Sequence, residues 1–162
     1  MSYIALRNRA VSSAIAAGAL IAATTTYAQP AADTFVFTSK TDSRVLVGSE
    51  GTGPNPYSGS YITGTTKATF ANSSTKAAKF TCVSTIQPPN GKIFDLHMLC
   101  DATDSDGTYS ATMGCTIIDA AAANFSCIGG LYGKSGAYNG RRGTLTNHAV
   151  GDTATGTGQW YR

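Results

Sequence analysis

The sequence has little that a helical or nucleic-acid-binding protein needs. Its one Ala-rich run past the amino-terminal segment, Asp119 to Asn124, is too short for a stable isolated helix. Charged residues make up only 13% of the chain, and no run of one sign stands out. The formal net charge of +3 shrinks further if residues 1–28 are removed: without Arg7 and Arg9, ten Lys and Arg face nine Asp and Glu. Electrostatic attraction to nucleic acid is therefore not expected. No apolar run reaches the roughly 20 residues that span a bilayer as a helix, so stable membrane insertion is not expected either. No CxxC pair and no serine elbow occur, which removes the commonest short-spaced zinc and serine-nucleophile signatures.

What is present begins with a leader. Arg7 and Arg9 form a basic start, Val11 to Ala23 an Ala-rich apolar stretch, and Thr26-Tyr27-Ala28 a small-residue cleavage site. Residues 1–28 thus read as a signal peptide and 29–162 as one domain. The expected destination is the periplasm or the outside of the cell. Export gives Cys82, Cys100, Cys115 and Cys127 the meaning of two disulfides rather than a metal site. Pairing 82–100 with 115–127 makes two hairpin bonds and is preferred. Pairing 100–115 with 82–127 stays open, because Cys100 and Cys115 flank Asp106-Gly107 almost symmetrically.

Short threonine-rich and apolar stretches alternate with Gly, Asn, Asp and Pro, the pattern of an all-β domain. Strands are predicted at 34–38, 44–47, 61–70, 79–86, 92–100, 108–118, 125–132, 142–148 and 155–161. Residues 49–60 read as a loop, Pro88-Pro89-Asn90-Gly91 and Asp106-Gly107 as reversals, and 133–140 as another. Alternation puts Phe94, Leu96, Met98 and Cys100 on one face, with Asp95, His97 and Leu99 on the other. These strands suit a closed antiparallel barrel of about eight strands or a β-sandwich. Closure has the advantage of removing exposed edges.

The chemistry-bearing residues are few. His97 with Asp95 two positions earlier offers a base and its orienting carboxylate, the tentative catalytic pair. Arg141 and Arg142 beside Tyr138 offer a guanidinium clamp for a carboxylate or phosphate, a tentative ligand site. Gly133-Lys134-Ser135 resembles the end of a phosphate loop, but Ile128 stands where its first glycine belongs and no helix follows. Asp101, Asp104 and Asp106 do not complete a calcium loop in either frame and read as an acidic turn. No metal site and no cofactor are predicted.

The carboxyl-terminal stretch 129–160 carries Gly133, Gly136, Tyr138, Gly140, Gly143 and Thr144, then Gly158 and Trp160. In these positions it resembles the final strands of small bacterial proteins of the allene oxide cyclase/dirigent-like barrel group. The resemblance covers about a quarter of residues 29–162. It implies an eight-stranded antiparallel barrel with an apolar lumen. Plant relatives of this type steer cyclisation of a reactive lipid epoxide or the coupling of phenoxy radicals, often as oligomers. It carries over no catalytic residue. The expected function is an exported, disulfide-stabilised barrel that binds a small apolar ligand without catalysis. A dirigent- or cyclase-like enzyme and a structural or adhesive envelope protein are the alternatives, and a homo-oligomer is compatible with each.

Overall fold

The computed structural model describes residues 32–50, 57–86 and 93–161. The predicted signal peptide, residues 1–28, and the Pro88–Gly91 reversal lie outside the described residues. Eight strands follow one another: β1 (Ala32–Glu50), β2 (Tyr57–Phe70), β3 (Thr75–Ile86), β4 (Leu96–Asp104), β5 (Gly107–Asp119), β6 (Asn124–Gly133), β7 (Arg142–Val150) and β8 (Thr153–Tyr161). Each pairs antiparallel with the next, and β8 pairs with β1, closing the barrel. The sandwich alternative is set aside by that last ladder.

Period-two patterning produces this closure. In β4, Leu96, Met98 and Ala102 are buried, while His97, Leu99 and Asp101 between them are exposed. In β8, Thr153, Thr155 and Thr157 face out, and Ala154, Gly156, Gly158 and Trp160 occupy the alternate positions. The core gathers at the inward positions: Ile62, Met98, Met113, Cys115, Leu131, Leu145 and Trp160 are buried together.

Several boundaries differ from the sequence reading. The two short strands expected at 34–38 and 44–47 are one strand, β1, bent by register shifts at Thr41/Ser43 and Val47/Ser49. β2 begins at Tyr57, so the loop expected at 49–60 is shorter. Closure is also incomplete as an edge-removing device. β8 covers β1 only from Ala32 to Lys40, and β1 then runs on against β2 alone. Val45, Leu46 and Val47 on this overhang are 53%, 66% and 61% exposed. Finally, β4 starts at Leu96 rather than Lys92, and residues 93–95 bend away. Phe94 therefore leaves the alternation and covers Gly114, with its ring edge-on to His97 at 5.8 Å.

The cysteines pair as the hairpin reading prefers. Cys82 lies opposite Cys100 in the β3–β4 ladder and Cys115 opposite Cys127 in the β5–β6 ladder, and both pairs are disulfides. Two disulfides in a chain of this size point to an oxidising compartment.

Candidate functional site

The inward faces enclose a cavity of about 150 Å³. Its walls carry Phe35, Phe37, Phe80, Met98, Met113 and Leu145, interspersed with Ala68, Ala78, Ala102 and Ala111. The rings fit because glycines face them across the ladders. Phe35 pairs with Gly158, Phe37 with Gly156 and Phe80 with Gly64. In each case a Cβ on the glycine would overlap the opposite ring. Each ring thus lies over a neighbouring strand's bare backbone, the arrangement that shields a strand glycine with an aromatic partner.

One end of the cavity is floored. The β6–β7 connection folds across it through a single 3₁₀ turn, Gly136–Tyr138, whose middle amide, Ala137 N–H, donates to the Asp106 carbonyl at 2.8 Å. Gly136 makes this approach with φ +62, and a side chain there would meet the Asp106 carbonyl. Tyr138 is thereby buried against Tyr109 and Trp160, at ring separations of 5.1 Å from each. Its hydroxyl donates to Asp104 Oδ2 at 2.6 Å, and Asp104 Oδ1 accepts the Asp106 and Gly107 amides at 2.7 and 3.2 Å. Burial, reinforced by the Asp104 charge, pushes the Tyr109 phenol up to about 12. Burial and then the bond to Asp104 raise Tyr138 further. Both remain neutral hydroxyls at ordinary pH.

Polar residues line the other end. Thr41, Arg44, Asp152 and Thr153 border the cavity there, the last three exposed, and the Thr41 amide donates to the Asp152 carbonyl at 2.8 Å. This end is the mouth among the described residues.

The residues singled out from sequence are not brought together. His97 is exposed on the outer face of β4, and neither it nor Asp95 borders the cavity. Asp95 Oδ2 instead accepts the Ile117 amide at 2.7 Å, tying the bend before β4 to β5. Arg141 pairs with Asp33 at 2.6 Å and lies over Trp160, whereas Arg142 lies outside over the Tyr132 ring at 4.1 Å. Tyr138 alone of that trio borders the cavity. The acidic turn is spoken for: Asp101 takes Lys134 and Ser110, Asp104 takes Tyr138, and Asp106 takes Lys76. The bond from Lys134, followed by that from Ser110, lowers the Asp101 carboxyl below its usual range. Lys134 is thus a surface partner of Asp101 rather than part of a phosphate loop.

Sequence reasoning missed Lys76 and Asn147 and placed Asp104 only in an acidic turn, whereas all three border the cavity. Their signal was register: each is a polar residue at an inward position of a strand. Comparison with protein-family models and with curated proteins found no match.

Proposed function

We propose that this protein is an exported binding protein that holds a small apolar molecule in its barrel lumen. The observation that carries the reading is the cavity itself, walled by rings and methyl groups, floored by aromatics and rimmed by polar residues. A cavity of about 150 Å³ suits a molecule of benzene to short-chain size. The carboxyl-terminal likeness to allene oxide cyclase/dirigent-like barrels supports the same use of the lumen, since those barrels shield an apolar guest. Export rests on the leader-like residues 1–28 together with the disulfides. Among the described residues, no pair of cavity-lining groups offers a base and nucleophile, so binding is preferred over catalysis.

The test is differential scanning of the oxidised protein against lipids, phenolics and small anions. Matching members should raise the melting temperature through binding to the folded state. In Ala111→Leu, which places a larger side chain among the cavity-lining residues, the same compounds should lose their effect. A library without a stabilising member, or stabilisation unchanged in Ala111→Leu, would refute the lumen as the site.

A further inference from the structure

We propose that the lumen selects molecules with an apolar chain and a hydrogen-bond donor at one end, the donor seated on Asn147. This rests on the lumen being the binding site and adds the chemical class that it takes. The inward positions of β7 are Gly143, Leu145, Asn147 and Ala149, so Asn147 interrupts an apolar row. Its neighbours across the ladders are Cys127 and Gly156, neither of which offers a polar side chain in the folded protein. The Asn147 Oδ1 is buried and has no hydrogen-bond partner among the described residues.

Among the described residues, no other buried side-chain nitrogen or oxygen lacks a partner. Ser39 donates to Thr66 at 2.9 Å, Ser60 and Ser84 share a bond of 2.6 Å, and Tyr138 donates to Asp104. A buried acceptor left alone is costly, and a leucine at this position would avoid that cost. A guest that supplies an O–H or N–H removes the penalty, which makes Asn147 a selective element rather than a packing one.

Position fixes the orientation. Asn147 lies on the mouth side of β7, only Ala149 separating it on that face from Gly151 at the rim. The floor residue Trp160 lies opposite Gly143, four residues further in, which is roughly 13 Å of strand. The donor end of the guest therefore faces the mouth, and its chain runs between Phe35 and Leu145 toward Trp160.

Two isomers separate this idea from general apolar binding. Hexan-1-ol and 1-methoxypentane have the same atoms and nearly the same shape, but only the alcohol has a donor. Titration is followed by the fluorescence of Trp160, the only tryptophan, on the lumen floor. The alcohol should bind about tenfold tighter to the wild-type protein. In Asn147→Leu the two should bind within about twofold of each other, the ether no weaker than before. Equal binding of both isomers to wild type overturns the selection while leaving the lumen reading intact. No binding of either overturns both. A preference for the alcohol that survives in Asn147→Leu places the donor elsewhere and overturns the assignment. If Asn147→Leu does not fold, Asn147→Ala carries the same comparison and the same outcomes, and the wild-type pair alone already tests whether the lumen selects a donor.

Discussion

Replacing Gly158 by alanine tests whether glycine in this barrel is a space-making residue. An alanine in a strand is ordinarily favourable, because it restricts the unfolded chain by about 0.5–1 kcal/mol relative to glycine. Gly130 in β6 should show that gain, since its added methyl group would meet nothing nearer than the Gly143 carbonyl at 3.9 Å. At Gly158 the methyl would overlap the Phe35 ring. That ring cannot yield freely, for it packs against Phe70 at 5.3 Å and Phe37 at 6.2 Å. Overpacking of this kind costs about 1–3 kcal/mol, so after the gain of about 0.5–1 kcal/mol is subtracted the net loss at Gly158 is up to about 2.5 kcal/mol, against a gain at Gly130. Urea denaturation followed by Trp160 fluorescence measures both. A Phe35→Leu background should erase most of the Gly158→Ala penalty, because the obstructing ring is gone. The reasoning is refuted if Gly158→Ala stabilises as Gly130→Ala does, or if its cost is undiminished beside Leu at position 35.

The other outcomes follow from the same structure. Replacing Cys115 and Cys127 by alanine should cost about 3 kcal/mol in a urea titration, and the Cys82–Cys100 pair a few tenths more for its longer span of 18 residues against 12. Loss of both bridges without destabilisation would contradict this. The Tyr109 phenol sits above its ordinary value of 10.0, so its contribution is complete below pH 10 and is lost as pH rises toward about 12. Stability should fall by ~2 kcal/mol across that window, and Tyr109→Phe should flatten the slope in alkaline denaturation curves. His97→Ala, on the exposed outer face, should change stability by less than about 0.5 kcal/mol and leave ligand affinity untouched. Weakened binding in that variant would tie His97 to the site after all.

The strand faces were legible because alternation is a local property. Cys82, Cys100, Cys115 and Cys127 fall on apolar faces from their neighbours alone, but their pairing is decided only by the ladders, which set Cys82 opposite Cys100 and Cys115 opposite Cys127. Asp95 and His97 misled for a related reason. The same alternation was extended across residues 93–95, where the chain bends so that Asp95 can accept the Ile117 amide. Nothing local announces that bond, since its two ends are 22 residues apart. Arg141 and Arg142 are adjacent, and adjacency in sequence suggests one clamp. Adjacent residues at the start of a strand point to opposite faces, and the two guanidiniums accordingly lie over different rings, Trp160 and Tyr132. Glycines inside strands have no local explanation in the sequence. For Gly158 the reason lies in an opposing phenylalanine, and for Gly156 and Gly64 in a close cross-strand carbonyl together with such a ring, which only the cross-strand register reveals.

That register also explains why the barrel has an interior to use. Eight strands enclose a space that ordinary side chains are just able to fill. Here Ala68, Ala78, Ala102, Ala111, Ala149 and Ala154 stand at cavity-lining positions. Phe35, Phe37 and Phe80, which share those walls, lie over glycine backbone of the neighbouring strands. A void of this kind lowers stability, because lining atoms lose the contacts that a filled core would give. The two disulfides offset such a loss from inward positions of the wall, where each joins directly opposed residues within one hairpin. A sequence shaped only for a stable barrel would enlarge those alanines and would have no use for an unpaired amide at Asn147. Small wall residues, flattened rings and one orphaned acceptor are costs that the proposed guest in the lumen would account for. Ala111→Leu separates the two demands: by filling space it should hold or raise stability while removing binding, the trade expected where an open site is kept at the expense of packing.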